Sequence, residues 1–262
     1  APAPAPLRRA DQRRINPLGP GNVALVVGAS RGLGLEFARQ LTAKGVTVIA
    51  THRTPQPPPS LSILGCRTLR LDVDDEQSVR AAAADVALTG VKMDLIVYNS
   101  GIYGPVGTLD GKARLGRPEA PPVRPKDMLD VFQTNAVGLV LVAQNFLPLC
   151  AAEYEGGSLP VLAVLSSKVA SIEDNSSGGA YAYRASKAAT NAVAKSLSVD
   201  LQSDGSAKVV LLHPGYVRTD MTNGKGLIDC DESVSGLLRA IEATGRDKPF
   251  RWVDYKAELI PF

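Results

Sequence analysis

Apolar residues recur along this chain in two rhythms. Short unbroken apolar runs lie at 23–27, 95–98, 161–165 and 209–212, and strand-like runs that polar residues interrupt or end lie at 46–51, 68–73 and 250–253. A run of four to six apolar residues with no polar alternation is expected of a strand buried on both faces, as in a parallel sheet. Between these runs lie longer stretches with helical spacing, at 35–44, 76–88, 127–155, 188–201 and 233–243. Gly45 stands where a helix C-cap is needed, and Asp74 or Asp75 where the 76–88 helix needs an N-cap. Pro148 breaks the end of the 127–155 stretch. Strand and helix alternate from residue 21 to the end, which predicts an α/β fold. The expected form is one Rossmann-type doubly wound domain, with a mainly parallel seven-stranded sheet and helices on both faces.

Two segments fall outside this rhythm. Residues 1–20 open with Ala-Pro repeats and continue into arginines, which predicts an extended or disordered leader. Residues 102–126 hold five prolines and several glycines. They read as a long loop inserted at the rim of the sheet.

Composition changes the picture little. The chain has 262 residues, 45% hydrophobic and 21% charged, enough for one domain with a large core. Its net charge of +3 equals the balance of Arg8, Arg9, Arg13 and Arg14 against Asp11. The body is therefore near neutral, and no nucleic-acid partner is expected. No apolar run is long enough for a membrane span. Cys66, Cys150 and Cys230 match neither a metal spacing nor a disulfide framework, so no metal is expected and a reducing, cytoplasmic setting is. The arginine-rich leader keeps an organellar address open as the alternative.

The chemistry lies where strands end. The first strand runs into Gly28-Ala29-Ser30-Arg31-Gly32-Leu33-Gly34 and then a helix. Glycines in that frame permit a tight turn, a close approach of backbone to a pyrophosphate and helix-on-strand packing, while the helix N-terminus offers free N–H groups. The second strand ends in Thr51-His52-Arg53 with no acid to hold a ribose. Arg53 and Arg31 could instead clamp a 2′-phosphate, which favours NADP(H) over NAD(H). Asp72, at the end of the third strand, could accept from an adenine amino group. Asn99-Ser100-Gly101 closes the fourth strand at its carboxyl edge. Asn135 sits inside a helix despite low propensity. Tyr183 and Lys187 lie one helical turn apart, so the ammonium would lower the phenol pKa and make a general acid/base. Taken alone, that pair is also what an ordinary surface helix carries. His213 lacks triad or metal partners and reads as structural.

Together Gly28–Gly34, Asn99-Ser100-Gly101, Tyr183 to Lys187 and Pro214-Gly215-Tyr216-Val217-Arg218-Thr219 make the chain resemble the short-chain dehydrogenase/reductase family from about residue 22 onward. Ser167 to Ala189 and the ending Asp254 to Phe262 resemble its sniffer and C-factor carbonyl-reductase-like branch. The resemblance implies that Tyr183 is the acid/base and that Lys187 tunes it and holds the nicotinamide ribose. It implies that Ser167, rather than Ser166, polarises the carbonyl, and that Asn135 supports a proton relay to Lys187. Cofactor contacts would come from Gly28, Ser30, Arg31, Gly32, Leu33, Gly34, Arg53, Asp72, Val73, Asn99, Gly101, Pro214, Gly215, Val217 and Thr219. Val27, Tyr98, Ser100 and Ala170 depart from the family pattern, and Tyr98 and Ser100 would alter packing near the cofactor. The expected function is NADP-dependent hydride transfer between nicotinamide and a small carbonyl or alcohol substrate. The alternatives are an NADP-binding regulatory or signalling protein of the same fold and, disfavoured by length, an epimerase or dehydratase. Long helices after strands four and five can pair between subunits, so a homo-oligomer is open.

Overall fold

The computed structural model describes residues 17–113, 119–151, 159–203, 205–244 and 249–262. Most of the leader and parts of the 102–126 and 127–155 segments lie outside the described residues. Seven strands, β1 (Val23–Val27), β2 (Thr47–His52), β3 (Arg67–Arg70), β4 (Leu95–Tyr98), β5 (Val161–Leu165), β6 (Lys208–His213) and β7 (Trp252–Asp254), form one sheet in the order β3-β2-β1-β4-β5-β6-β7. Every pairing is parallel. The chain reverses direction of growth between β1 and β4, where Val27 stands beside Tyr98. That crevice is the switch point at which open α/β sheets hold ligands.

Burial explains the strands. β1, β4 and β5 are buried at every position, as their unbroken apolar runs require. One side of the sheet packs Leu25, Ile96, Leu162 and Leu211 against Leu139, Val142 and Phe146. The other packs Val26, Val97 and Ala163 against Phe37, Leu41, Leu237 and Ile241. The helices that cover these faces are α1 (Gly32–Ala43), α3 (Glu76–Ala87), α5 (Gly138–Phe146), α6 (Tyr181–Ser203) and α7 (Cys230–Glu242), with short α2 (Pro59–Ser62) and α4 (Pro125–Phe132) at the rims. Asp75 is the residue that caps α3, accepting from the Gln77 N–H at 2.9 Å.

Three expectations need correction. The third strand stops at Arg70, although Leu71 and Val73 are buried. Only Leu71 keeps a ladder-like bond, its N–H donating to His52 O at 2.9 Å, before the chain turns toward α3. The first helix begins at Gly32, inside the glycine turn rather than after it. The 127–155 stretch is not one helix. α4 passes into a π-helical turn, Gln133–Val137, and only then into α5. The π-turn carries Asn135.

Candidate active site

The glycine turn is built by close approach. Gly28 has φ +82°, a value that disfavours any side chain, and a Cβ there would lie 2.6 Å from Ser100 Oγ. A Cβ on Gly34 would overlap the Gly28 carbonyl, so α1 rests directly on the end of β1. Neighbouring strand ends tie the turn down. The Gly28 N–H donates to Thr51 Oγ1 at 3.0 Å, and Asn99 Nδ2 donates to Gly28 O at 2.8 Å. Thr51 is a contributor that the sequence pattern did not single out. Thr219, after β6, rests over Gly32, with its Cγ2 3.5 Å from where a Cβ would stand. Its neighbours Pro214, Gly215 and Val217 anchor that loop: Pro214 O accepts from Ser233 Oγ at 2.7 Å, and Val217 is buried.

These features fit a dinucleotide. Among the described residues no side chain caps α1, and its first turn holds no acid. Its N–H groups and positive end are therefore left for an anion. Ser30, Arg31, Gly32 and Leu33 form that end. Arg53 follows the last residue of β2 directly and lies within electrostatic reach of Asp74. Arg31, at the same edge, has a partner of its own. Its guanidinium pairs with the Asp220 carboxylate at 2.5 Å, with the two side chains 75% and 71% exposed. Asp72 is half-buried and already accepts from the Asp74 N–H at 3.2 Å.

Across the crevice lies a buried polar cluster. Asn135 is fully buried and bonds on every side. Its Oδ1 accepts from the Ile102 N–H at 2.8 Å, and its Nδ2 donates to Ile102 O and to Ser186 Oγ at 2.9 Å each. Lys187 is also buried, its Nζ donating to Leu165 O at 2.9 Å. Both groups converge on Gly101, where a Cβ would lie 3.2 Å from Asn135 Oδ1 and 3.2 Å from Lys187 Nζ. The two serines after β5 part company. Ser166 turns inward and donates to Asn191 Oδ1 at 2.5 Å. Ser167 hydrogen-bonds the Tyr183 phenol.

The pKa relation expected between Tyr183 and Lys187 is different here. Burial pushes the Tyr183 phenol up to about 12, which the Ser167 bond only partly opposes. Burial likewise pulls Lys187 down to about 8. Desolvation of the charged form is the leading cause for each, and Lys187 spends a hydrogen bond on Leu165 O.

The phenol faces a cleft of about 230 Å³ lined among others by Tyr103, Val106, Pro121, Val123 and Tyr181. The Tyr103 ring lies 4.7 Å from the Tyr183 ring, tilted by 34°. Arg124 and Asp127 at its rim satisfy each other through bonds of 2.8 and 2.7 Å. Tyr103 was hidden in a stretch legible only as loop. Its place just after Asn99-Ser100-Gly101 at the carboxyl edge was the one available signal. Among the described residues no helix is long and apolar enough to cross a membrane.

The short chain dehydrogenase family model matches residues 22–227, and the chain belongs to that family. It is similar to the C-signal of Myxococcus xanthus, 34% identical over 187 residues, 70% of this chain and 100% of that one. It is also similar in structure to an NADPH-bound carbonyl reductase from chicken fatty liver, with a TM-score of 0.78 and 30% identity, covering 94% of this chain and 100% of that one. The carbonyl reductase Sniffer of D. melanogaster superposes with a TM-score of 0.77 at 27% identity, covering 93% and 100%.

Proposed function

We propose that the chain is an NADP(H)-dependent oxidoreductase that interconverts a carbonyl compound and its alcohol, with Tyr183 as acid/base. The observation that carries this reading is the meeting of Ser167, Tyr183, Lys187 and Asn135 at the edge where the glycine turn opens. Family membership and the NADPH bound by the chicken reductase support it. The nicotinamide cofactor, once bound, supplies or takes up the hydride. The glycine turn, Asn99 and Thr219 would hold it, and the absence of an acid beyond β2 together with Arg53 favours the 2′-phosphorylated form.

The chain's own residues handle the proton. The Ser167 hydroxyl donates to the substrate carbonyl oxygen and fixes it beside the phenol. Tyr183 gives its proton to that oxygen in reduction and recovers it in oxidation. A phenol held up at about 12 is protonated at neutral pH, so its resting state is a donor, suited to reduction. Lys187, at about 8, exchanges protons close to neutral pH and can resupply it. Asn135 fixes the strand-end loop at Ile102 against α6, and its Oδ1 meets the same Gly101 that Lys187 Nζ meets.

The cleft favours an uncharged, apolar carbonyl compound. Among the described residues its walls are mainly tyrosine, valine, proline, alanine and glycine, and the Arg124–Asp127 pair at its rim is internally satisfied. The test is NADPH oxidation with a panel of uncharged aldehydes, ketones and quinones beside carboxylate-bearing analogues. Tyr183→Phe is expected to lower kcat by about a thousandfold and to leave the NADPH Kd, read by fluorescence titration, unchanged. Full turnover in that variant would remove Tyr183 from the chemistry.

A further inference from the structure

Tyr98 is the last residue of β4 and is fully buried. Its side chain points away from the cofactor crevice, into the packing between the sheet and the helices after β4. There its hydroxyl donates to the Thr134 carbonyl at 2.6 Å. Thr134 belongs to the π-turn and directly precedes Asn135. The next carbonyl, that of Asn135 itself, accepts from Thr190 Oγ1 of α6 at 2.9 Å. Two hydroxyls from outside the helix thus hold two consecutive carbonyls of the turn, one from the sheet and one from α6. Room for the phenol is provided by Gly138, where a Cβ would lie 2.7 Å from the Tyr98 hydroxyl and 3.0 Å from Val73 Cβ. The Thr134 side chain is held as well, its Oγ1 donating to Asp74 Oδ2 at 3.0 Å.

A π-turn inserts one residue into a helix and departs from the regular ladder, so it persists where outside contacts favour it. From this geometry we infer that Tyr98 is a positioning residue: its hydroxyl holds the π-turn in the register that aims Asn135 at Gly101 and Lys187. The inference rests on the reading of Asn135 given above. Phenylalanine keeps the ring and its packing but loses the donor to Thr134 O. The turn then relaxes toward a regular helix, and Asn135 loses the alignment that bonds it to both Ile102 and Ser186.

The test compares Tyr98→Phe, Asn135→Ala and the double variant of the full chain. The readouts are NADPH turnover, NADPH Kd and amide hydrogen exchange of a peptide spanning 133–139. Tyr98→Phe is expected to lower kcat about tenfold, to leave the NADPH Kd within twofold and to speed exchange in that peptide. Added to Asn135→Ala it is expected to cost nothing further, because the residue it positions is already gone. A merely structural role would lower both backgrounds equally. Wild-type kcat and exchange in Tyr98→Phe, or losses that multiply in the double variant, would overturn the inference. If Asn135→Ala alone retains full turnover, the relay reading of Asn135 fails, and exchange decides the rest: faster exchange in Tyr98→Phe sustains its hold on the turn, and unchanged exchange ends it.

Discussion

At the nucleotide end of the crevice, Arg31 and Asp220 meet with about three quarters of each side chain in solvent, and Arg53 is exposed beyond β2. At the chemical end, Asn135, Ser186, Lys187 and Thr190 are all at least 96% buried; Asn135, Ser186 and Thr190 are joined by bonds of 2.9 Å, and Lys187 donates to Leu165 O at 2.9 Å. Charge in the first region is screened by salt and cheap to rearrange. In the second it is desolvated, so each group alters both rate and stability. The two ends therefore separate affinity from turnover. Substitutions at the surface end should move cofactor binding and its salt dependence. Substitutions at the buried end should move kcat and melting temperature.

Tyr183→Phe has the largest expected effect, and Lys187→Met tests the buried end from the side of stability. The folded pKa of Lys187, about 8, lies below its ordinary 10.5. Below pH 8 both folded and unfolded chains carry the proton, and the buried ammonium costs stability in full. Between pH 8 and 10.5 the unfolded chain holds a proton that the folded chain has released, so that cost fades as pH rises. Lys187→Met should abolish turnover yet stabilise the fold at pH 7 by about 1–2 kcal/mol, with the lost bond to Leu165 O offsetting part of the gain. In thermal melts the gain should shrink above pH 8 and be lost before pH 10.5. A variant less stable than the parent at every pH would mean that the bond to Leu165 O outweighs desolvation.

Arg53→Ala probes the exposed end. It should weaken NADPH by about ten- to a hundredfold, as loss of a charged hydrogen-bond donor does, and leave NADH nearly unchanged. Equal losses for both cofactors would count against a 2′-phosphate contact. The smallest effect is expected of Asp220→Asn, which releases Arg31. NADPH affinity should rise about two- to threefold at low salt, and the gain should disappear at about 1 M salt. A gain that survives high salt would place its origin outside electrostatics.

How much of this could be read from the chain varied with the physics involved. β1, β4 and β5 were legible to the residue because a strand buried on both faces must be apolar throughout. The glycine turn was legible because backbone approach at Gly28 and Gly34 admits no side chain. The π-turn was not. The sequence from Asp127 onward keeps a helical apolar rhythm, and one inserted residue shifts it too little to register. Only Asn135 and Gly138 marked the place. The Arg31–Asp220 pair spans 189 positions, a separation at which sequence spacing says nothing. The pKa relation between Tyr183 and Lys187 was misjudged because spacing reveals proximity and not burial, and burial dominates both groups. Ser167 and Ser166 were separable only by a neighbouring small residue, whereas the fold separates them by direction.

The strand order also sets a schedule. One edge of β1 pairs with β2, but its other edge has to await β4, and Asp94, just before that strand, accepts from the Val23 N–H 71 positions away. A chain emerging from its N-terminus therefore carries an open, wholly apolar strand edge until residues 94–98 have been made. Until that edge closes, Asn99 cannot brace the glycine turn and Ser100 cannot sit beneath it. Nucleotide binding thus becomes available only after the sheet's centre has formed, and the acid/base helix is added to a platform that already exists.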